Sequence, residues 1–170
     1  LAAAALVPGS DLLLRDVGLN GTRDGIVHVL QAMGADLTLL DRRHFGEEPV
    51  ADIRIRYAGR LRGVDIPVDR VPALIDELPV ILALAATAEG TTRLRGAAEL
   101  RVKDGMDVAG GPIGGGAVDG AGDHRCAMSF CILGQVAPQS VEVAGCENID
   151  TSYPGFVDDL VRVGGNIHAL

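Results

Sequence analysis

Apolar and polar positions along the chain predict alternating helices and strands. Leu1–Val7 reads as the apolar, Ala-rich end of a helix, stopped by Pro8-Gly9. Because the chain opens in mid-pattern without an initiator Met, its start reads as a cut end. Asp11–Val17 is a predicted strand, and residues 18–24 form a turn carrying Asn20, Gly21, Thr22 and Arg23. Ile26, Val29, Leu30 and Met33 then fall at i, i+3, i+4 and i+7, which is one face of an amphipathic helix. Gly34 stands where a helix-ending glycine is expected. Asp36–Asp41 and Ile53–Tyr57 are predicted strands, joined by a polar segment around His44–Glu48.

The C-terminal end repeats this order. A predicted strand at Val141–Val143 leads to a turn with Asn148 and Thr151, then a helix carrying Phe156, Leu160 and Val163. Gly164 and a strand start at Asn166-Ile167 follow. Residues 25–37 map onto 155–167 with a constant offset of 130. Residues 81–96 repeat the opening: an Ala-rich helix, Gly90, and a strand at Thr92–Arg95. Repeated units that alternate strands and helices predict an α/β architecture. The middle copy is short. Eight of the eighteen residues from Gly105 to Gly122 are Gly, so no helix is predicted there, and a helix with most of a strand reads as deleted.

Composition narrows the class. The balance of 48% hydrophobic and 22% charged residues is that of a soluble globular chain. With aromatics at 3% and no Trp, the core must be built from Ala, Val, Leu and Ile. A net charge of −8 argues against nucleic acid as a partner, although a local Arg/Lys cluster can still take a small anion. Cys126, Cys131 and Cys146 lack metal-ligand spacing and read as reduced, buried thiols of a cytoplasmic protein. No apolar run is long enough for a membrane span, and Leu1–Val7 lacks the basic leader of a signal peptide.

The candidate chemistry clusters at helix starts and at one strand end. Asp76 opens a predicted helix over 77–88 that is apolar nearly all round, with Pro79 in its first turn. Asp76 can be a simple N-cap, or a rigidly held general acid/base. Lys103 and Asp104 close a strand, with Arg101 beside them, and can equally be a solvated charge group. Asp123 is a natural N-cap for a buried helix predicted over 126–136, and His124 can be structural. Arg125 in the first turn opposes the helix dipole, which an anion at that helix start would account for. Arg23 is placed in the same way ahead of the first amphipathic helix. The glycine run 110–116 lacks the Gly-Lys-Ser/Thr of a P-loop and reads as a connector. Cys126 and Cys131 have no adjacent base, which argues against a thiol nucleophile.

At these residues the chain resembles the EPSP synthase family, the 3-phosphoshikimate 1-carboxyvinyltransferases. The motifs that carry the resemblance are Asn20-Gly-Thr-Arg23, Asp76-Glu-Leu-Pro79, Ala88-Glu-Gly-Thr91, Leu100-Arg-Val-Lys-Asp104, Gly122-Asp-His-Arg125, Ala127-Met-Ser-Phe130, Cys146-Glu-Asn148 and Thr151-Ser-Tyr-Pro154. The resemblance implies an inside-out α/β barrel of repeated strand–helix units, incomplete here. Residues 1–63 would be the last unit of the first domain, and 64–170 part of the second, with its middle unit shortened near 105–116. It implies transfer of the enolpyruvyl group of phosphoenolpyruvate to the 5-hydroxyl of shikimate 3-phosphate, with phosphate released and no metal or organic cofactor. Asp76 would be the proton acceptor and a shikimate ligand, and Asp104 a proton donor. Lys103 would bridge the substrates. Arg125, beside His124, would clamp phosphoenolpyruvate, and Arg23 would bind the shikimate phosphate.

The chain departs from the family after Asp104, where Gly105-Met106 replaces the Ser/Thr-Asp-Arg that brings a second phosphoenolpyruvate-binding arginine. The family's first part is also absent, so the chain alone is expected to be inactive. One alternative is a non-catalytic fold remnant that self-associates to complete its missing units. Another is an enolpyruvyl transferase acting on a nucleotide sugar.

Overall fold

The structure is a computed structural model, and it describes residues 1–21, 24–96 and 105–169. These fall into two compact units, Leu1–Gly111 and Pro112–Leu170.

The first unit opens with α1 (Ala2–Leu6), β1 (Asp11–Gly18), α2 (Gly25–Ala32), β2 (Asp36–Phe45) and β3 (Glu48–Arg56). β3 lies between β1 and β2, antiparallel to both. Its inward residues Ala51, Ile53 and Ile55 are fully buried. α1 packs on β3 and α2 on β2. α1 buries only alanines, and these small side chains let its backbone come close to the sheet. On α2, Val27, Val29 and Leu30, with Met33 just beyond the helix, form the buried face. Each fully buried aliphatic side chain of this core contributes roughly 1.5–3 kcal/mol.

Two differences from the predicted pattern stand out in this sheet. The polar segment around His44–Glu48 is mostly strand: β2 runs to Phe45 and pairs through a two-residue turn at Gly46-Glu47. The segment is polar because it is an exposed hairpin end. Both edge strands also bulge against β3, between Leu14 and Val17 and between Leu40 and Arg43. Asp16 and Asp41 take left-handed backbone at these bulges (φ +55° and +46°), a conformation Asp tolerates better than most residues. Arg43 joins them, bonding to Asp16, to Asp41 at 3.1 Å and to Asp52 at 2.7 Å.

The same unit continues through β4 (Asp65–Ile66), α3 (Val71–Leu74), a 3-10 turn at Ile75–Glu77, α4 (Leu78–Thr87), β5 (Thr91–Leu94) and β6 (Met106–Ala109). β4 and β6 flank β5, parallel and antiparallel to it respectively. β6 is a strand the glycine-rich sequence concealed, although its side chains alternate half-buried and exposed. No residue of α4 is exposed, as its all-round apolar sequence predicts.

The second unit holds β7 (Gly116–Asp119), α5 (His124–Gly134), β8 (Val141–Ala144), α6 (Ile149–Ser152) and α7 (Phe156–Arg162). β7 and β8 are parallel, so α5 is the crossover between them. The predicted helix over 126–136 therefore starts and ends two residues earlier. It is half-buried rather than buried, with only Ala127, Ser129 and Cys131 deeply covered. The turn with Asn148 and Thr151 is largely α6. The strand expected at Asn166-Ile167 does not form among the described residues. Instead Gln135 holds that backbone, accepting from the Asn166 N–H at 2.8 Å.

Candidate functional site

Asp76 sits in the first unit, exposed on the 3-10 turn that feeds α4. The N-cap position of α4 belongs to Glu77, so the expectation that Asp76 caps this helix is one residue out of place. The fully packed helix behind the turn leaves it little freedom, and an exposed carboxylate on such a support suits proton transfer. Glu77 points the other way, toward α2. Its Oε2 lies beside Gly25, and burial pushes the carboxyl up to about 6, with Asp24 and Asp76 adding to the rise. Asp24 at the start of α2 pairs with His28 at 3.3 Å. A cavity of about 200 Å³ opens beside this helix start; Asp24, His28, Arg70 and Leu74 line it, and Asp76 does not.

The second unit carries His124 and Arg125, both half-buried at the start of α5. Asp123 is the N-cap, as its sequence position predicts. Its Oδ1 accepts from the Arg125 N–H at 2.8 Å and the Cys126 N–H at 3.3 Å. The negative group that offsets the helix dipole here is therefore the chain's own Asp123. The loop ahead of it is fixed from both sides. Asp119 Oδ1 accepts from the Ala121 N–H at 2.8 Å, and Asn148 Nδ2 donates to the Gly122 carbonyl at 2.7 Å. Ser129 Oγ donates to the Arg125 carbonyl at 2.6 Å. The three cysteines are free thiols. Burial raises all three, Cys131 to about 11, so they are poor nucleophiles near neutral pH.

Arg23, Lys103 and Asp104, with Arg101, lie outside the described residues. Sequence reasoning missed Glu77 and Asp119. Glu77 was hidden because the helix it lies against is distant in sequence. Asp119 was signalled only by the Asp-Gly pair that ends a strand.

These elements define an α/β protein of repeated strand–helix units, with acidic and basic groups presented at helix starts. The family model of EPSP synthase (3-phosphoshikimate 1-carboxyvinyltransferase) matches residues 1–104 and again 103–160, so its two matches meet at the shortened unit. The chain belongs to this family. The 3-phosphoshikimate 1-carboxyvinyltransferase of Legionella pneumophila (strain Corby) is 48% identical over 180 residues, covering 92% of this chain and 41% of its own. That of Coxiella burnetii is 42% identical over 193 positions, covering all of this chain and 44% of its own. Since this chain has 170 residues, the excess lies opposite gaps. The EPSP synthase structure from Acinetobacter baumannii matches 98% of this chain with a TM-score of 0.92 at 38% identity, and 44% of that chain is covered. The chain thus spans less than half the length of these relatives. Among the described residues, no helix is long and apolar enough to cross a membrane.

Proposed function

We propose that this chain supplies part of the site for transfer of the enolpyruvyl group of phosphoenolpyruvate to the 5-hydroxyl of shikimate 3-phosphate, with release of phosphate. The observation that carries this is the span of the family matches, which take in every candidate residue: Arg23 and Asp76 in the first, His124 and Arg125 in the second, and Lys103 and Asp104 in both. In this reading Asp76 accepts the proton of the attacking hydroxyl and Asp104 protonates the phosphoenolpyruvate methylene. Arg23, Lys103 and Arg125, beside His124, hold the two anionic substrates. Residues 1–63 are the last unit of one domain, and 64–170 belong to the next. The protein works in the cytoplasm, in keeping with its free thiols.

Since the chain corresponds to under half of its relatives' length, we assign it binding without turnover. Calorimetry with shikimate 3-phosphate, phosphoenolpyruvate and a nucleotide sugar tests this, beside a phosphate-release assay. Shikimate 3-phosphate should bind, and Asp76→Ala should weaken it. Preference for the nucleotide sugar would replace the reading, and measurable phosphate release would overturn the absence of turnover. A second reading, self-association to complete the units, draws on exposed Tyr153, Val161 and Val163 in the second unit. Size exclusion with light scattering decides it, and a compact monomer would count against it.

A further inference from the structure

Asn148 closes the Cys146-Glu-Asn148 motif and has no part in the reaction just described. It stands at the N-cap position of α6, yet its side chain makes no cap bond to that helix, although Asn is among the best residues for one. Instead its Nδ2 donates to the Gly122 carbonyl at 2.7 Å, 26 residues earlier in the chain. Gly122 lies in the loop between β7 and α5. The bond therefore joins the loops that follow the two neighbouring parallel strands, β7 and β8. The carboxyl ends of parallel strands are where α/β folds gather their ligands.

The two loops are fitted to each other. The Gly120 N–H donates to the Ala144 carbonyl at 2.9 Å. A Cβ on residue 145 would lie 2.6 Å from Asp119 Oδ1 and 3.2 Å from the Ala121 nitrogen, so a side chain there would push the loops apart. Ala121 and Gly122 both take left-handed backbone, with φ of +53° and +71°. The peptide after Gly122 leads directly into Asp123, the cap of α5. That peptide is held at both of its polar groups. Asn148 donates to its carbonyl, and its N–H, that of Asp123, donates to the Gly120 carbonyl at 2.9 Å. The plane of this peptide sets the direction in which α5 starts, and with it the placement of His124 and Arg125 in the first turn.

We propose that Asn148 is a positioning residue for Arg125: its bond to the Gly122 carbonyl fixes the peptide that aims the first turn of α5. The proposal rests on the functional reading above in giving Arg125 phosphoenolpyruvate to hold. A binding side chain needs its support placed to within about 0.5 Å. Gly120-Ala-Gly-Asp123 has two glycines in four residues, which makes the loop soft and gives a bond from a neighbouring element something to fix. Ser129 braces the Arg125 carbonyl from within the helix, while Asn148 orients the helix start itself.

The test uses this chain in the variants Asn148→Ala and Asn148→Asp. Both remove the donor, and Asp keeps the size of the side chain. Asn148 is exposed, so neither change opens a hole in the core. Calorimetry should show phosphoenolpyruvate bound about tenfold more weakly by both variants. Shikimate 3-phosphate, held in that reading by residues of the first unit, should keep its affinity to within about twofold. A merely structural role would lower both affinities or neither. Either pattern, or an unchanged phosphoenolpyruvate affinity in one of the variants, overturns the proposal. Without substrate, NMR should show the Asp123 amide exchanging about tenfold faster in both variants and the Arg125 Nε–Hε resonance displaced. If the unaltered chain does not bind phosphoenolpyruvate, the functional reading alone fails and these two signals decide: an Arg125 resonance that stays in place, or an Asp123 amide that exchanges as before, overturns the positioning role. If neither variant folds, Asn148 is a structural residue and the proposal is overturned.

Discussion

The ends of α2 and α7 invite direct comparison, because they lie 130 residues apart in matching sequence and belong to different units. At the first, the Gly34 N–H donates to the Gln31 carbonyl at 3.0 Å and the Ala35 N–H to the Leu30 carbonyl at 2.9 Å. At the second, the Gly164 N–H donates to Val161 at 2.9 Å and the Gly165 N–H to Leu160 at 2.8 Å. The two glycines have φ of +86° and +93°. Beyond the caps the copies part. Leu37 enters β2 and pairs opposite Ile55 of β3, whereas Ile167 joins no strand. Burial diverges too: Met33 is fully covered, while its counterpart Val163 is 55% exposed. A helix cap is closed by bonds within half a dozen residues and so forms wherever its sequence occurs. A strand needs a partner, and β3 supplies one in the first unit only.

The largest expected effect puts a magnitude on that divergence. Leu30 is fully buried in the first unit, and Leu160, its counterpart, is 7% exposed in the second. Leu30→Ala should cost about 3–4 kcal/mol and Leu160→Ala about 2 kcal/mol, read from the midpoint of urea unfolding. Equal costs would mean that the second unit is packed as tightly as the first, and the comparison would fail.

The same split between local and distant causes decides what the sequence made legible. The faces of α2 and α4, both glycine stops and the Asp123 cap depend on neighbours in sequence, and each was readable from spacing alone. The paired bulges at Asp16 and Asp41 were not. They exist because both edge strands carry an extra residue against β3 and Arg43 joins the resulting carboxylates. Along the chain those residues look like ordinary surface charges. β6 escaped notice because glycines flank its four residues, and only pairing with β5 makes it a strand. Within the candidate site, Asp76 was legible as a residue but misplaced as the cap, since the 3-10 turn before α4 moves the cap to Glu77. Asp123 could be read correctly because the N–H groups it serves are the next two or three in the chain.

A smaller effect should be the same in both units. Gly34→Ala and Gly164→Ala each force a Cβ into left-handed backbone, which costs about 1 kcal/mol. Nothing lies within 4 Å of a Cβ at either position, so no steric term separates them. Thermal unfolding of the two variants should therefore show losses of similar size. A much larger loss at Gly34 would show that the cap of α2 also supports the sheet that follows it.

The smallest effect separates two carboxylates that both stand at helix starts. Asp123 is exposed, and one of its oxygens receives two N–H bonds from its own helix. Glu77 reaches across to α2 and leaves Oε2 buried without a partner among the described residues. Burial raises Glu77 from its ordinary 4.5 to about 6, so the folded chain holds this proton more tightly than the unfolded chain does. Its contribution to stability is then fully present below about pH 4.5 and is lost as pH rises through about 6. Glu77→Gln, which cannot ionise, should keep that contribution throughout. The difference in Tm between the variant and the unaltered chain should be smallest near pH 4.5 and grow in favour of Gln up to about pH 7, then level off. The change should stay small, because much of the side chain still reaches solvent. A Tm difference that stays constant with pH would mean that the buried oxygen is hydrated in solution, and the contrast between the two helix starts would then be one of position only.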